Sequence, residues 1–400
     1  MRAPRSTRPS PTSLVARRSL AALLVGLLGL LLVGTPVASA TTGPGGVLGG
    51  SRLGRPGVVY VPGPGILPPP VTSSLSYVVA DTTSGDVLAA KGAHLRLRPA
   101  STQKILTALT LLPELDPGDT YTARFEDANV DGSKVGIVPD APYEVHDLWQ
   151  ALFLVSGNDA ANALANASGG VAQAVRKMQD KARELQALDT TVVNPSGLDA
   201  PRQFSSAYDL ALIARAGLQR EDFRAYCATI KAQFPGKVGA RGPRPTFEIY
   251  TQDKLLLNYS GAIGVKAGFT TLARATYVGA ATRGGRTLVV TLMHAGPRAW
   301  REAAALLDWG FAQGPRITPV GHLVDPVSAG GGTEPAAASG PALGTSALPA
   351  VARAGTAAWT PPIWAWVVVV LVATVLSLRM RAMVRRRRRR RTLASAWSRA

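Results

Sequence analysis

Three short elements of the sequence carry side chains suited to nucleophilic chemistry. They are, in chain order, Ser101-Thr102-Gln103-Lys104, Ser156-Gly157-Asn158 and Lys266-Ala267-Gly268. A serine hydroxyl at its ordinary pKa is a weak nucleophile and needs a base beside it, and a lysine is a base only when its amine is neutral. Burial or a second cation lowers the pKa of a lysine, and Lys266 can supply that cation. The three elements together indicate catalysis by an activated serine.

The spacing of the first element places its two reactive side chains on one face of a helix. Pro99-Ala100 precedes Ser101, and a helical pattern runs over residues 102–112. Residues three apart on a helix face the same way, so the Lys104 amine can reach the Ser101 hydroxyl. A serine in the first turn can also lend its backbone N–H to an oxyanion hole. Taken alone, the same letters are compatible with a helix cap at Ser101 and an exposed lysine.

The other two elements are typical of connections that can bring polar groups into a cleft. Ser156-Gly157-Asn158 lies between two predicted helices, where it is either a simple turn or the source of a hydroxyl and an amide for proton transfer and substrate binding. Lys266-Ala267-Gly268 precedes Phe269-Thr270-Thr271. An edge strand with a glycine at that place would let a peptide substrate pair along it.

Strand patterns stand at both ends of the central region, and helical patterns lie between them. The strands are predicted at 76–80, 87–90, 275–281 and 287–294. The helices are predicted at 102–112, 147–154, 159–167, 171–188, 207–216 and 300–309. This distribution favours an α/β (α+β) fold, with an antiparallel sheet flanked by helices, over alternating βαβ units.

The first 40 residues have the order of a secretory signal peptide. Arg17-Arg18 precedes an apolar run over residues 20–33, and small residues end at Ala38-Ser39-Ala40. Cleavage after Ala40 is predicted. A permanent N-terminal anchor is the alternative, which the run disfavours because a bilayer needs roughly 20 apolar residues. The paired arginines leave export by the Sec or the Tat route open.

An apolar span near the C-terminus predicts one transmembrane helix. Residues 359–378 carry no charged side chain, and the Arg-rich tail 379–400 includes seven consecutive arginines. The positive-inside rule keeps that tail cytoplasmic, so we expect a single-pass protein of the cell membrane with its catalytic domain on the extracytoplasmic side. An RNA-binding arm is the weaker interpretation, because the position beside the apolar span already explains the arginines.

The formal net charge of +19 belongs mainly to these two ends. Fifteen of the 44 basic residues lie in residues 1–40 and 359–400, which carry no acidic residue, so the segment between them holds 29 basic and 25 acidic side chains. The charge therefore indicates targeting, and no nucleic-acid partner is expected.

Two stretches poor in large apolar residues are predicted to flank a single catalytic domain at 74–318. Residues 41–73 are predicted to be a Gly/Pro-rich linker and residues 319–358 an Ala/Gly/Pro-rich stalk, neither of them burying a core. Cys227 is the only cysteine, so no internal disulfide can form, and a buried thiol is favoured over a nucleophile. The four histidines show no metal-ligand spacing, so we expect no metal and no cofactor.

The order S-x-x-K, S-x-N, K-x-G resembles that of serine penicillin-recognising enzymes. Longer stretches narrow the resemblance to the low-molecular-weight D-alanyl-D-alanine carboxypeptidases, which are penicillin-binding proteins of the S11 type. These stretches are Arg98-Pro99-Ala100-Ser101, Leu154-Val155-Ser156-Gly157-Asn158-Asp159-Ala160-Ala161, Asn194-Pro195-Ser196-Gly197-Leu198-Asp199, Ser205-Ser206-Ala207-Tyr208-Asp209-Leu210-Ala211 and Leu307-Asp308-Trp309-Gly310-Phe311. The resemblance covers nearly all of residues 74–318 and implies a beta-lactamase/transpeptidase-like fold.

The resemblance implies a catalytic role for five residues. Ser101 would be the acylated nucleophile and Lys104 its general base. Ser156 and Asn158 would complete the proton network and hold the donor peptide. Lys266 would orient that network electrostatically.

The resemblance also implies groups that bind the substrate. The backbone N–H groups of Ser101 and Phe269 would form the oxyanion hole. Arg298 is the candidate for binding the terminal carboxylate, with Arg301 as the alternative. The implied substrate-binding residues are Gly268, Phe269, Thr270 and Arg298.

One position departs from the family pattern. Ala267 stands where the family normally has threonine, so a hydroxyl that would contact the substrate carboxylate is missing. A hydrogen bond to a charged group contributes about 1.5–3 kcal/mol, which corresponds to roughly a ten- to hundredfold effect on rate. Thr270 or Thr271 can compensate if its hydroxyl faces the substrate.

These observations predict a membrane-anchored serine-type D-Ala-D-Ala carboxypeptidase. Its substrate would be the peptidoglycan stem peptide, whose terminal D-alanine it would remove through an acyl-enzyme, and beta-lactams would be covalent inhibitors. The alternative is a catalytically weakened homologue that acts as a peptidoglycan-binding module. A β-lactamase is disfavoured, because residues 159–200 contain no E-x-x-x-N element to activate water.

Overall fold

A central antiparallel sheet organises the protein, whose computed structural model describes residues 46–237 and 243–327. The sheet has seven strands in the order β1-β3-β2-β10-β9-β8, with β11 also paired to β3. Its strands are β1 (Val58–Val59), β2 (Ser76–Asp81), β3 (Asp86–Lys91), β8 (Ala262–Thr270), β9 (Arg274–Arg283), β10 (Arg286–Ala295) and β11 (Gly321–His322). The predicted antiparallel sheet is confirmed, because every pairing in it is antiparallel.

Helices cover both faces of this sheet, as predicted. The helices are α1 (Lys104–Leu111), α2 (Phe125–Ala128), α3 (Val145–Leu154), α4 (Asn158–Ala167), α5 (Val171–Glu184), α6 (Ala207–Leu218), α7 (Glu221–Ala228), α8 (Lys254–Asn258) and α9 (Ala299–Gln313). Helix α9 packs on strands β9 and β10 from one side, and α6 packs on β2 and β10 from the other. Side chains that alternate along a strand therefore pack into two separate cores, one on each face of the sheet.

Strand β2 shows this alternation directly. Val78 and Ala80 belong to the larger core with helices α1 and α6, whereas Tyr77 and Val79 belong to the smaller core under α9. All four side chains are at most 1% exposed. A strand that is apolar on both faces is what a sheet covered on both sides requires.

Elements that the sequence did not predict lie mostly outside the central sheet. Two small antiparallel hairpins form from β4 (Thr120–Thr122) with β5 (Pro142–Glu144) and from β6 (Lys231–Pro235) with β7 (Thr246–Tyr250). Among the predicted helices, α5 ends at Glu184 rather than at residue 188, because Gln186 adopts a left-handed φ of 57°.

The predicted boundaries of the catalytic domain are too narrow at both ends. Leu53 is 2% exposed and Val59, on β1, pairs with β3, so residues 41–73 are not purely a linker. At the other end Val320 and Leu323 are buried, and β11 pairs with β3, so the first residues of 319–358 belong to the folded body. A few large apolar side chains among many glycines and prolines are enough to attach these segments, which is why composition misled the prediction.

The predicted targeting segments fall on residues that the structure does not describe. The signal peptide at 1–40, the apolar span at 359–378 and the tail at 379–400 all lie there. Within residues 46–237 and 243–327, no helix is both long and apolar enough to cross a bilayer.

Candidate active site

Ser101 lies in a short 3-10 helix, Ala100–Gln103, that continues directly into α1. Its side chain is partly exposed, whereas the residues on either side of it are buried. Ala100 enters this turn with a φ of 48°, which is costly for a residue with a side chain. Backbone strain of this kind persists where the surrounding structure fixes a functional position. The serine hydroxyl is thereby held at the surface of an otherwise buried helix start.

The Lys104 amine makes three contacts with oxygen atoms. Its Nζ lies 2.9 Å from Ser101 Oγ, 2.7 Å from Asn158 Oδ1 and 2.8 Å from the carbonyl oxygen of Ser196. The residue is 0% exposed. An exposed lysine beside a capping serine, the alternative interpretation of this element, is therefore wrong.

The partners of Lys104 determine what its neutral form can do. The carbonyl oxygens of Asn158 and Ser196 can only accept hydrogen bonds, so a neutral amine must donate both of its hydrogens to them. Its lone pair then points to the third partner, the Ser101 hydroxyl. Burial, followed by the nearby charge of Lys266, holds the pKa of Lys104 well below its ordinary value, while Asp159 opposes that effect. In this geometry the neutral amine of Lys104 can accept the proton of the Ser101 hydroxyl.

Asn158 is fixed by contacts at both ends of its side chain. Its Nδ2 donates to the carbonyl oxygen of Asp131 at 2.6 Å, and its Oδ1 accepts from Lys104. The next residue, Asp159, is fully buried and accepts hydrogen bonds from the backbone N–H groups of residues 135, 136, 137 and 160, at 2.8–3.1 Å. These contacts tie the loop 131–137 to the start of α4.

Ser156 stands out because its buried hydroxyl has no hydrogen-bond partner among the described residues. It also adopts a left-handed φ of 60° in the connection between α3 and α4. A buried hydroxyl without a partner is uncommon and is a group that substrate can satisfy. The backbone of Ser156-Gly157-Asn158 forms the turn from α3 into α4. The turn also carries two polar side chains, the Ser156 hydroxyl and the Asn158 amide.

Lys266 lies on β8 and is 4% exposed. Its Nζ donates to the carbonyl oxygen of Ala267 at 2.9 Å. Burial lowers the pKa of Lys266 to about 8, and Asp253 and Cys227 oppose the shift. The charge of Lys266 lowers the pKa of Lys104. Lys266 is therefore close enough to Lys104 to be the second cation that the sequence predicts.

Strand β8 is an edge strand, paired with β9 on one side. Gly268 sits where β8 passes close to the 3-10 helix, since a Cβ built on it would lie 2.7 Å from the Ser101 nitrogen. Phe269 is 70% exposed at the following position. The open edge of β8 and the backbone N–H of Ser101 therefore border the same space, as an edge strand that binds a peptide beside the nucleophile would require.

Thr276 joins β9 to the nucleophile-bearing helix, a contact that the sequence did not reveal. Its Oγ1 donates to the carbonyl oxygen of Pro99 at 2.8 Å, and Thr102 donates to the same oxygen at 2.6 Å. A Cβ on Gly268 would lie 2.5 Å from Thr276 Oγ1. Gly268 therefore leaves room for the hydroxyl that holds the helix against the sheet.

The hydroxyls suggested as substitutes for the missing threonine are differently placed. Thr270 Oγ1 accepts a hydrogen bond from the backbone N–H of Ala273 at 2.9 Å, so it stabilises the turn into β9. Thr271 is exposed in that turn. Ala267 packs against the core under α9.

The two candidate arginines lie at the start of α9. Arg298 is the exposed N-cap residue, and its side chain makes no hydrogen bond or ion pair with any described residue. Arg301 lies over the ring of Trp300, with 5.2 Å between its Cζ and the ring centroid. The structure therefore brings together Ser101, Lys104, Asn158 and Gly268, but shows no contact between either arginine and that group.

Three contributors to the site escaped the analysis of the sequence. They are the Ser196 carbonyl and the Asp159 carboxylate beside Lys104, and the Asp253 carboxylate near Lys266. The stretch 194–199 was part of the family resemblance, and Gly197 within it has a φ of 84° and packs against Ala100. That glycine was the available signal that the stretch touches the nucleophile. Within the described part of the chain, no group of three or more His, Cys, Asp or Glu side chains is arranged to bind a metal.

Comparison with known sequences gives one family and a consistent set of relatives. The profile of the D-alanyl-D-alanine carboxypeptidase family, peptidase S11, matches residues 66–296. D-alanyl-D-alanine carboxypeptidase DacB2 of Mycobacterium tuberculosis is 43% identical over 266 residues, which are 65% of this chain and 89% of that protein. DacF of Bacillus subtilis, which bears the same enzyme name, is 30% identical over 246 residues, or 60% of this chain and 62% of its own.

Solved structures agree with the sequence relatives. The crystal structure of a D-alanyl-D-alanine carboxypeptidase from M. tuberculosis H37Rv superposes with a TM-score of 0.61 at 43% identity, covering 64% of this chain and 98% of that one. The Streptomyces K15 DD-transpeptidase superposes with a TM-score of 0.58 at 28% identity, covering 62% of this chain and all of that one.

Proposed function

Because the chain belongs to the D-alanyl-D-alanine carboxypeptidase family, we propose that it is a membrane-anchored serine enzyme that trims the terminal D-alanine from peptidoglycan stem peptides. The family profile and the shared name of its relatives support the reaction. The observation that carries the mechanism is the 2.9 Å contact between Lys104 Nζ and Ser101 Oγ, inside a buried setting that favours the neutral amine.

Acylation begins when neutral Lys104 takes the proton of Ser101. The serine oxygen attacks the carbonyl carbon of the penultimate D-alanine, and the bond from that carbon to the terminal nitrogen breaks. The proton held by Lys104 passes to the leaving nitrogen through the unpaired hydroxyl of Ser156, so D-alanine departs as an amine. The product is an ester between the shortened peptide and the enzyme.

Deacylation repeats the proton transfer with water. Lys104, again neutral, takes a proton from a water molecule that attacks the ester carbonyl, and then returns it to the Ser101 oxygen. Lys266 remains an ammonium through both steps and favours the neutral form of Lys104 by repulsion.

The edge of β8 and the N–H groups near Ser101 are suited to hold the substrate. An extended stem peptide would pair with the backbone of β8, which places its carbonyl carbon beside Ser101. The N–H groups of Ser101 and Phe269 would then stabilise the developing oxyanion. Arg298, which is exposed and without a protein partner among the described residues, would bind the terminal carboxylate.

Ser101→Ala tests this assignment with a fluorescent penicillin, a strained acyl donor for the same serine. The wild type should become covalently labelled, and Ser101→Ala should not. Ser84→Ala, an exposed serine in the turn between β2 and β3, is the matched control and should label like the wild type. Equal labelling of Ser101→Ala and the wild type would mean that the nucleophile is another residue.

A second candidate function follows from Ala267. No hydroxyl stands at this position, and the Thr270 hydroxyl is engaged in the β8–β9 turn, which favours a weakened enzyme that binds peptidoglycan. Release of D-alanine from a pentapeptide separates the two functions. Ala267→Thr should raise the rate of release roughly ten- to hundredfold if the chain is an enzyme, since a hydrogen bond to a carboxylate contributes about 1.5–3 kcal/mol. No release by either form, with intact penicillin labelling, would favour the binding module.

Anchoring is proposed from the sequence at both ends. Residues 1–40 would direct export, residues 359–378 would span the membrane, and the tail 379–400 would stay in the cytoplasm. Protease added to intact cells should digest the catalytic domain and spare an epitope on the tail. A chain truncated after residue 358 should be released from the membrane fraction, and retention of the truncated chain would contradict the anchor at 359–378.

A further inference from the structure

The carboxylate of Asp253 borders the same small cavity as Lys266 and has no part in the proposed reaction. It is 7% exposed, at the residue before α8. Its Oδ1 accepts hydrogen bonds from the N–H groups of Leu255 at 2.9 Å and Leu256 at 3.4 Å, and from the Tyr277 hydroxyl. Its Oδ2 is buried and has no hydrogen-bond partner among the described residues. A helix cap uses only one oxygen of this carboxylate, so the second oxygen is unexplained.

A small cavity lies between Asp253 and Lys266. Its volume is about 10 Å³, which is about the room that one water molecule occupies. Lys266 Nζ has one described acceptor, the carbonyl oxygen of Ala267, so it retains N–H groups for another partner. A water in the cavity can accept from the ammonium and donate to the free oxygen of Asp253. The residues lining the cavity are Phe153, Tyr226, Cys227, Thr229, Thr251, Gln252, Asp253, Val265, Lys266 and Ala267.

The charged and titratable groups around Lys266 come from several elements. Lys104 on α1 repels its charge, whereas Asp253 before α8 and the Cys227 thiol on α7 favour the charged form. Tyr226 on α7 also lines the cavity, and Tyr277 on β9 donates to Asp253. Among these groups Asp253 is the carboxylate, and it is the strongest influence opposing the effect of burial on Lys266.

Two buried amines in one site compete for a single proton. If Lys266 lost its charge, the repulsion that lowers the pKa of Lys104 would disappear, and Lys104 would hold the proton more readily. Lys104 would then be blocked as a base. Asp159 favours the charged form of Lys104, but burial and the charge of Lys266 outweigh it. Asp253 favours the charged form of Lys266, so Lys266 is the amine that holds the proton.

We propose that Asp253 is a positioning residue that keeps Lys266 in its ammonium form, through one water held in the cavity between them, and so leaves Lys104 neutral. This inference rests on the proposed role of Lys104 as the base. Asp253 contacts neither the substrate nor the reacting atoms. It acts on the reaction through Lys266.

Asp253→Asn tests the charge while preserving the shape of the side chain. Asparagine is also a good N-cap, and its oxygen can accept from Leu255, Leu256 and Tyr277. The alkaline limb of the pH profile for penicillin acylation should move down by about one pH unit, which is the low end of the effect of a nearby opposite charge. The rate should therefore fall roughly tenfold at pH 8.5 and stay within about twofold at pH 6.5. A loss that is equal at all pH values would mean that Asp253 only caps α8, and would overturn the proposal.

Two matched variants distinguish the effect of the Asp253 charge from the effects of a lost hydrogen bond and of a lost surface charge. Tyr277→Phe removes a donor to Asp253 but keeps the carboxylate, so its alkaline limb should stay near that of the wild type. Asp180→Asn removes an exposed carboxylate on α5 and should leave the whole profile unchanged. A profile of Tyr277→Phe that moves as far as that of Asp253→Asn would assign the effect to the hydrogen-bond network and contradict the role of the charge.

Titration of the lysine side chains by NMR makes the test independent of catalysis. The ε-carbon signal assigned by its loss in Lys266→Arg should titrate at lower pH in Asp253→Asn than in the wild type. An unchanged midpoint would overturn the proposal even if the protein is an active carboxypeptidase. A shifted midpoint in a protein that penicillin does not label would instead uphold the effect of Asp253 on the charge of Lys266 and refute the proposed function.

Crystallography of the wild type provides the last check and needs no variant. An ordered water should lie within hydrogen-bond distance of both Asp253 Oδ2 and Lys266 Nζ. Its absence from a well-resolved cavity would contradict the water bridge.

Discussion

The two buried lysines of the site are alike in burial and opposite in surroundings. Lys104, on α1, is 0% exposed and faces three neutral oxygen atoms, whereas Lys266, on β8, is 4% exposed and shares a cavity with a carboxylate. Neutral acceptors leave a lysine free to lose its proton, and a carboxylate helps it to keep that proton. Lysine can therefore be a base at one position, Lys104 on α1, and a fixed cation at another, Lys266 on β8.

Replacing the base should have the largest effect. Lys104→Arg keeps a positive charge but cannot become neutral, so the Ser101 proton has no acceptor. Acylation by a fluorescent penicillin should fall about a thousandfold, in line with the loss of a general base. Lys177→Arg, at a partly exposed position on α5 where the amine pairs with Glu114, should acylate like the wild type. A loss below tenfold in Lys104→Arg would contradict the role of Lys104 as the base and of Lys266 as the fixed cation.

Removing the fixed cation should have a smaller effect. Lys266→Met leaves Lys104 in place but takes away the charge that keeps it neutral, so acylation at neutral pH should fall about a hundredfold, similar to loss of one electrostatic stabiliser. The residual rate should rise with pH and show no fall above pH 8, because the group responsible for that fall is gone. Persistence of the alkaline fall in Lys266→Met would assign it to another group.

Moving β8 away from the 3-10 helix should weaken the electrostatic repulsion between Lys104 and Lys266. Gly268→Ala puts a methyl group 2.7 Å from the Ser101 nitrogen and 2.5 Å from Thr276 Oγ1, so β8 must move away from the 3-10 helix. The rate of acylation should drop roughly 10- to 100-fold as the oxyanion hole and the repulsion between the amines are both disturbed. Gly46→Ala, where an added methyl group meets no atom within 4 Å, is the control. Unchanged acylation in Gly268→Ala would mean that the close approach is not needed.

The wild-type pH profile should show both lysines at once. The rate should rise as pH increases through the depressed pKa of Lys104, because the base must be neutral, and fall above pH about 8, where Lys266 loses its proton. At pH 9 the rate constant for acylation should be roughly one tenth of its maximum. A profile that keeps rising to pH 9 would contradict a catalytic requirement for charged Lys266.

The local parts of the site could be predicted from the sequence because they depend on short spacing. Ser101 and Lys104 are three residues apart on one helix, and this alone brings the hydroxyl and the amine together. The strands of the sheet were predicted well for a similar reason, since 275–281 and 287–294 lie within β9 and β10. Periodicity within about ten residues contained the necessary information.

The remaining contacts join residues that are far apart in the chain. Lys104 meets the carbonyl oxygen of Ser196 across 92 positions. Asp253 and Lys266 border one small cavity because β8 folds back beside α8, and neither position carries a sequence pattern that signals this proximity. Composition was also a poor guide at 41–73, where Leu53 and Val59 attach a Gly/Pro-rich stretch to the sheet.

The sheet order has a mechanical consequence for the proposed membrane anchoring. Strand β11, the last strand before the described chain ends at residue 327, pairs with β3, while β8 borders Ser101 at the opposite edge. Four strand spacings of about 4.8 Å separate β3 from β8, or roughly 19 Å. If the proposed anchor at 359–378 holds the chain, tension on residue 327 would act first on the two residues of β11 and then on β3. Such tension would strain the β11–β3 pairing while the far side of the sheet, where β8 lies beside Ser101, keeps its geometry.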